Sequence, residues 1–118
     1  MKIVHLSAEC YPVAKVGGLA DVVGALPRYL KEQSVDASVI MPKYANEWVQ
    51  EHEFETVLSG SAPLGDWQFD YQIQRETEDS LGFPLYVIDI PGRFDRPGIY
   101  TDQDSGDSYW DDFERFAS

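Results

Sequence analysis

The feature that most constrains this chain lies in its first 42 residues: a strand, a glycine-punctuated loop, an amphipathic helix and a second strand, in that order. Lys2–Ser7 is a short apolar run of the kind that makes a buried strand. Pro12, Gly17 and Gly18 punctuate residues 8–18, and Pro12 biases Tyr11 away from helix. From Leu19 the apolar period changes to 3.6. Leu19, Val22, Val23, Leu26 and Leu30 form one face, with Arg28, Lys31 and Glu32 off it. The spacing predicts a helix to about Gln33, bent near Val23–Leu26 because Pro27 removes a backbone donor. Ala37–Met41 is a second apolar strand, ended by Pro42. Such a βαβ unit implies a parallel strand pair with a right-handed crossover, and hence an α/β fold.

Beyond it, Asn46–Glu53 reads as a loop or short helix. Phe54–Leu58 and Trp67–Arg75 read as a hairpin around Gly60–Asp66 at the sheet edge. Trp67, Phe69, Tyr71 and Ile73 alternate with Gln68, Asp70, Gln72 and Gln74, which predicts a packed face and a solvated one. Leu85–Ile90 returns to the parallel sheet. Pro91–Asp107 is a long loop, and Asp107 or Ser108 is placed to cap a last helix from Tyr109. That helix reaches Ser118 after two or three turns, so the 118 residues read as one domain cut at its C-terminal end. One helix covers one face of a sheet. The other, expected around Ile3, Val39 and Val87, is left bare.

Charge is divided unevenly. Residues 1–43 carry five bases against four acids; residues 44–118 carry four against seventeen. A net charge of −12 repels nucleic-acid backbones and directs any anionic ligand to the first third. Cys10 is the only cysteine, so neither an internal disulfide nor a cysteine-based metal site can be drawn. No apolar run approaches the roughly 20 residues of a membrane helix, and a cytoplasmic setting without membrane contact is expected.

Chemistry concentrates at Lys15-Val16-Gly17-Gly18-Leu19, between the first strand and the first helix. In open α/β sheets ligands gather at the carboxyl ends of strands, and free amides at a helix start favour anions. The spacing leaves two readings open: an anion site with Lys15 beside it, or a tight turn with a solvated lysine. The dinucleotide pattern G-x-G-x-x-G and the Walker pattern are both absent. Glu9 is placed to face the ligand, to pair with Lys15, or to sit in solvent. Asp21 falls in the first helical turn, where an acid offsets the helix dipole or contacts a ligand. His5, inside an apolar strand, reads as a hydrogen-bonded core residue rather than a base.

Taken together, Ser7-Ala8-Glu9, Pro12, Lys15 through Val22 and Gly24-Ala25-Leu26-Pro27 resemble the opening of bacterial glycogen synthases and plant starch synthases. Pro42-Lys43-Tyr44, Asp95 through Tyr100 and Arg115-Phe116 are similar to later motifs of that family, in the same order. The resemblance implies the partial N-terminal domain of a GT-B fold, with a Rossmann-like parallel sheet and a β-hairpin insertion. It implies a retaining transfer of glucose from ADP-glucose, or UDP-glucose, to the non-reducing end of an α-1,4-glucan. It assigns Lys15 to the donor's phosphate or sugar and the Gly17 and Gly18 amides to the pocket, with Glu9 and Asp21 as further substrate contacts. No metal or cofactor is called for. The family's cleft histidine and aspartate fall beyond Ser118, as does its second domain, so no catalytic residue is assigned within the chain and the chain alone is expected to be inactive. Phe94 stands where some members have a tyrosine near the donor. The rival reading is a non-catalytic synthase-like module that binds glucan or a partner protein without turnover.

Overall fold

The computed structural model describes residues 1–91 and Phe94. The predicted final helix, the motif Asp95–Tyr100 and the Arg115-Phe116 pair lie outside the described residues. The elements are β1 (Lys2–Leu6), α1 (Gly18–Glu32), β2 (Asp36–Pro42), α2 (Glu47–Glu51), β3 (Phe54–Leu64), β4 (Trp67–Glu76) and β5 (Leu85–Asp89). They make one sheet in the order β1-β2-β5-β4-β3. β2 is parallel to both β1 and β5, while β4 runs antiparallel to β5 and to β3. A parallel α/β unit therefore carries an antiparallel hairpin at its edge, as the strand patterns predict. The hairpin turn is tighter than expected. β3 continues to Leu64, and Gly65, at φ 62°, supplies the left-handed residue of the turn.

Register decides which face is which. His5 lies opposite Val39, while Met41 and Gln74 both lie opposite Val87. This face is the covered one: Val39, Met41, Leu85 and Val87 are buried in one cluster with Val23 of α1, Cys10, Val13 and Tyr44. The bare face is the other one, correcting the expectation around Val39 and Val87. There Val4 and Leu6 are exposed, Leu6 by 78%. A groove of about 850 Å³ runs over this side past Val4, Ile40, Leu58, Ile73 and Tyr86.

Helix α1 also turns differently from its apolar periodicity. Its buried residues are Ala20, Val23, Gly24 and Pro27, whereas Leu19, Leu26 and Val22, the last at 59%, are exposed. Small residues win because the helix crosses the preceding loop at close range. A Cβ on Gly24 would collide with the Tyr11 carbonyl oxygen, and the Tyr11 amide donates to the Ala20 carbonyl at 2.9 Å. The helix continues through Pro27, whose ring is fully buried. A second correction concerns β4. Gln74, at the end of the polar row, is buried rather than solvated, and so is Glu76 just beyond it. The Gln74 side chain accepts from Lys43 Nζ at 2.6 Å, and Glu76 accepts from the Ser80 amide and hydroxyl at 2.8 and 2.7 Å. Hydrogen bonds to these groups offset the desolvation that alternation alone would forbid.

Candidate donor loop at the carboxyl edge of the sheet

The loops after β1, β2 and β5 leave the sheet at the same edge, as parallel strands require. Tyr44, two residues past β2, is buried there; its hydroxyl donates to the Ala8 carbonyl at 2.7 Å, and its ring meets Phe94 edge-on at 6.1 Å. Asn46 supports the same loop from the next turn. Its side-chain amide donates to the Val13 carbonyl at 2.8 Å, while its oxygen caps α2 by accepting from the Val49 amide at 3.0 Å. Cys10 and Ala14 exchange two backbone hydrogen bonds, of 3.0 and 2.9 Å, which close the loop into a compact turn. Burial pushes the Cys10 thiol up to about 11 against a smaller opposing pull from Arg28, so it is an unreactive packing group.

Glu9 is the centre of the arrangement. It is only 3% exposed. One carboxylate oxygen, Oε1, accepts from the amides of Val16, Gly17 and Ala20 at 3.3, 3.1 and 3.2 Å. These are amides of the α1 N-terminus and its approach, which no earlier turn can satisfy. The carboxylate also sits at the positive end of the helix dipole, where a negative charge is favoured. Its own backbone is fixed too. The Ser7 hydroxyl donates to the Glu9 carbonyl at 2.7 Å and accepts from the Glu9 amide at 3.3 Å. Glu9 is therefore neither a solvated loop carboxylate nor the partner of Lys15: it faces inward and binds the loop's own backbone.

Lys15 pairs with Asp21 instead of Glu9. Its Nζ lies 2.8 and 2.7 Å from the two Asp21 oxygens and 5.6 Å from the centre of the Tyr11 ring. The pair stands in the open, with side chains 44% and 53% exposed. Gly17 and Gly18 lie beside it. Gly17 has φ −146°, extended backbone that any residue adopts, and a Cβ on either glycine would meet nothing within 4 Å among the described residues. The other described glycines have a reason in the fold. Gly24 faces the Tyr11 carbonyl, Gly60 the Tyr71 ring, and Gly65 and Gly82 have φ of 62° and 85°. The structure thus brings Lys15, Gly17, Gly18 and Asp21 together at one surface and puts Glu9 beneath them.

His5 is half-buried, with its Nδ1 inaccessible and without a hydrogen-bond partner among the described residues, which corrects the expected hydrogen-bonded histidine. Among the described residues no group of three or more His, Cys, Asp or Glu side chains is arranged to hold a metal. No helix among them is long and apolar enough to cross a membrane.

Known proteins place this arrangement in context. The chain is 48% identical to a glycogen synthase of Flavobacterium johnsoniae over all 118 residues, which span 24% of that protein. It is 40% identical to a glycogen synthase of Clostridium acetobutylicum, over 99% of this chain and 23% of the other. It superposes with a TM-score of 0.72 and 27% identity on the catalytic domain of starch synthase IV from Arabidopsis thaliana bound to ADP and acarbose, covering 98% of this chain and 22% of that one. The chain therefore spans about a quarter of the length of these relatives. Residues 2–118 match the family model for the starch synthase catalytic domain, and the chain belongs to that family.

Proposed function

We propose that this chain forms the donor-side loop of a retaining glucosyltransferase that moves glucose from ADP-glucose to the end of an α-1,4-glucan. The observation that carries the reading is the pair Gly17–Gly18. Neither glycine is required by backbone angle or by packing among the described residues, which leaves room above them for a ligand. An exposed lysine stands beside that room, at the carboxyl edge of a parallel sheet. The ADP held by the Arabidopsis relative supports an adenine nucleotide as the ligand.

Lys15 supplies positive charge where the diphosphate leaving group develops negative charge, and in the free protein Asp21 holds that cation in place. The Gly17 amide is engaged by Glu9, so the anion is met chiefly by Lys15. Full turnover is expected to need sequence equivalent to the other three-quarters of the relatives. The 118-residue chain with ADP-glucose and glycogen should release no ADP above background. In a chimera that carries residues 1–118 in place of the first quarter of the Flavobacterium synthase, Lys15→Ala should lower kcat/KM for ADP-glucose by roughly one to two decades. This corresponds to one charge-assisted contact of about 1.5–3 kcal/mol. Unchanged donor kinetics would remove Lys15 from the site.

A further inference from the structure

The geometry points to Glu9 as the positioning residue of the donor loop, acting through the backbone of Val16 and Gly17 on Lys15, and without touching the donor itself. This rests on the reading of Lys15 as the donor contact.

Glu9 is nine-tenths or more buried, and its Oε1 gathers amides from three residues spread over the loop and the first helical turn. Lys15 is bonded directly to the first of them, and Gly18 to the second. One oxygen therefore fixes the backbone inside the Lys15–Gly18 stretch and just beyond it. Everything around Glu9 restricts its own freedom: Ser7 bonds its backbone, Tyr44 bonds the carbonyl before it, and Gly24 lets α1 lie against Tyr11 two residues on. A cation on a flexible stem gains precision only if its backbone is held, because ordering a lysine side chain at the moment of binding costs entropy. The carboxylate has a second consequence. It fills the electropositive end of α1 from within the protein, so a donor phosphate does not compete for those amides, and selectivity for the anion passes to Lys15.

The placement of the acceptor oxygen, more than the charge, is what this role demands. Glu9→Gln keeps a carbonyl oxygen in the same place. Glu9→Asp keeps the charge but withdraws the oxygen by about 1.5 Å, one C–C bond. In the chimera described above, Glu9→Ala should lower kcat/KM for ADP-glucose at least tenfold, mainly through KM. Glu9→Gln should recover most of that loss and should outperform Glu9→Asp. The double variant Glu9→Ala/Lys15→Ala should be no worse than the worse single variant by more than about twofold, because both remove one contact. Multiplicative losses, or Asp outperforming Gln, would overturn the proposal in favour of a direct electrostatic role. Amide hydrogen exchange provides the arm independent of activity. Val16, Gly17 and Ala20 should be protected in the wild type and in Glu9→Gln, and should lose protection in Glu9→Asp. If they do so while Lys15→Ala is kinetically silent, the donor reading has failed and the anchoring stands. If they are equally protected in all three proteins, the anchoring itself is wrong.

Discussion

Among the described residues two carboxylates are almost completely buried, Glu9 and Glu76. Both accept backbone amides in a loop that leads to the next element: Glu9 at the start of α1, Glu76 in the turn before β5. Locally they solve the same problem, since a buried charge must be met by donors. The loops differ in what they carry. The turn held by Glu76 contains Ser80 and leads into the buried Leu81 and Phe83, and its glycine, Gly82, is explained by a φ of 85°. The loop held by Glu9 carries an exposed lysine and two glycines that no contact among the described residues requires. Burial of a charge therefore marks a rigid loop; the cargo of the loop marks a site.

The largest effects expected from breaking this comparison are on stability. Glu9→Ala orphans three amides at a helix start and should cost about 2–4 kcal/mol, and Glu76→Ala, which orphans one amide and one hydroxyl, about 1–3 kcal/mol. Denaturant titration of each variant measures both. Only the first should also impair donor use in the chimera, and a matching loss of kcat/KM in Glu76→Ala would erase the distinction between the two loops. Next comes pH. With the Cys10 thiol held up to about 11 by burial, the unfolded chain loses this proton before the folded one does. Stability from this group is full below pH 9 and declines between pH 9 and 11, by on the order of 2–3 kcal/mol. Cys10→Ala should show a shallower alkaline decline, and equal slopes would contradict the burial of the thiol. The smallest effect belongs to the exposed pair. Asp21→Ala should change stability by less than about 1 kcal/mol, because solvent screens the ion pair. A larger loss would mean that the pair is part of the scaffold.

The parallel unit at the core and the existence of the hairpin were legible because β-branched runs and the change of period at Leu19 are local signals. The rotation of α1 was not. Leu19, Val22 and Leu26 are the more apolar residues, but Gly24 permits an approach to Tyr11 that only small residues on that face allow. A periodicity argument has no access to such a contact. The same limit explains the bare sheet face, whose identity depends on register. In the site, Lys15, Gly17 and Gly18 were legible as a loop with an unusual composition. Glu9 was visible as a residue but not as an anchor, since its three partners lie 7 to 11 positions away and follow no capping-box spacing. Tyr44 stood in the Pro42-Lys43-Tyr44 motif with no role attached and Asn46 left no signal of its own, although both hold the loop from beyond β2.

The central claim is that the Gly17–Gly18 pair exists for a ligand and not for the fold. Gly18→Val tests it most directly, with donor kcat/KM of the chimera and its melting temperature measured on the same preparation. A Cβ at Gly18 meets nothing among the described residues, so the melting temperature should hold within a few degrees while kcat/KM for ADP-glucose falls at least tenfold. Unchanged kinetics, or a loss of activity that follows a collapse of the melting temperature, would contradict the account.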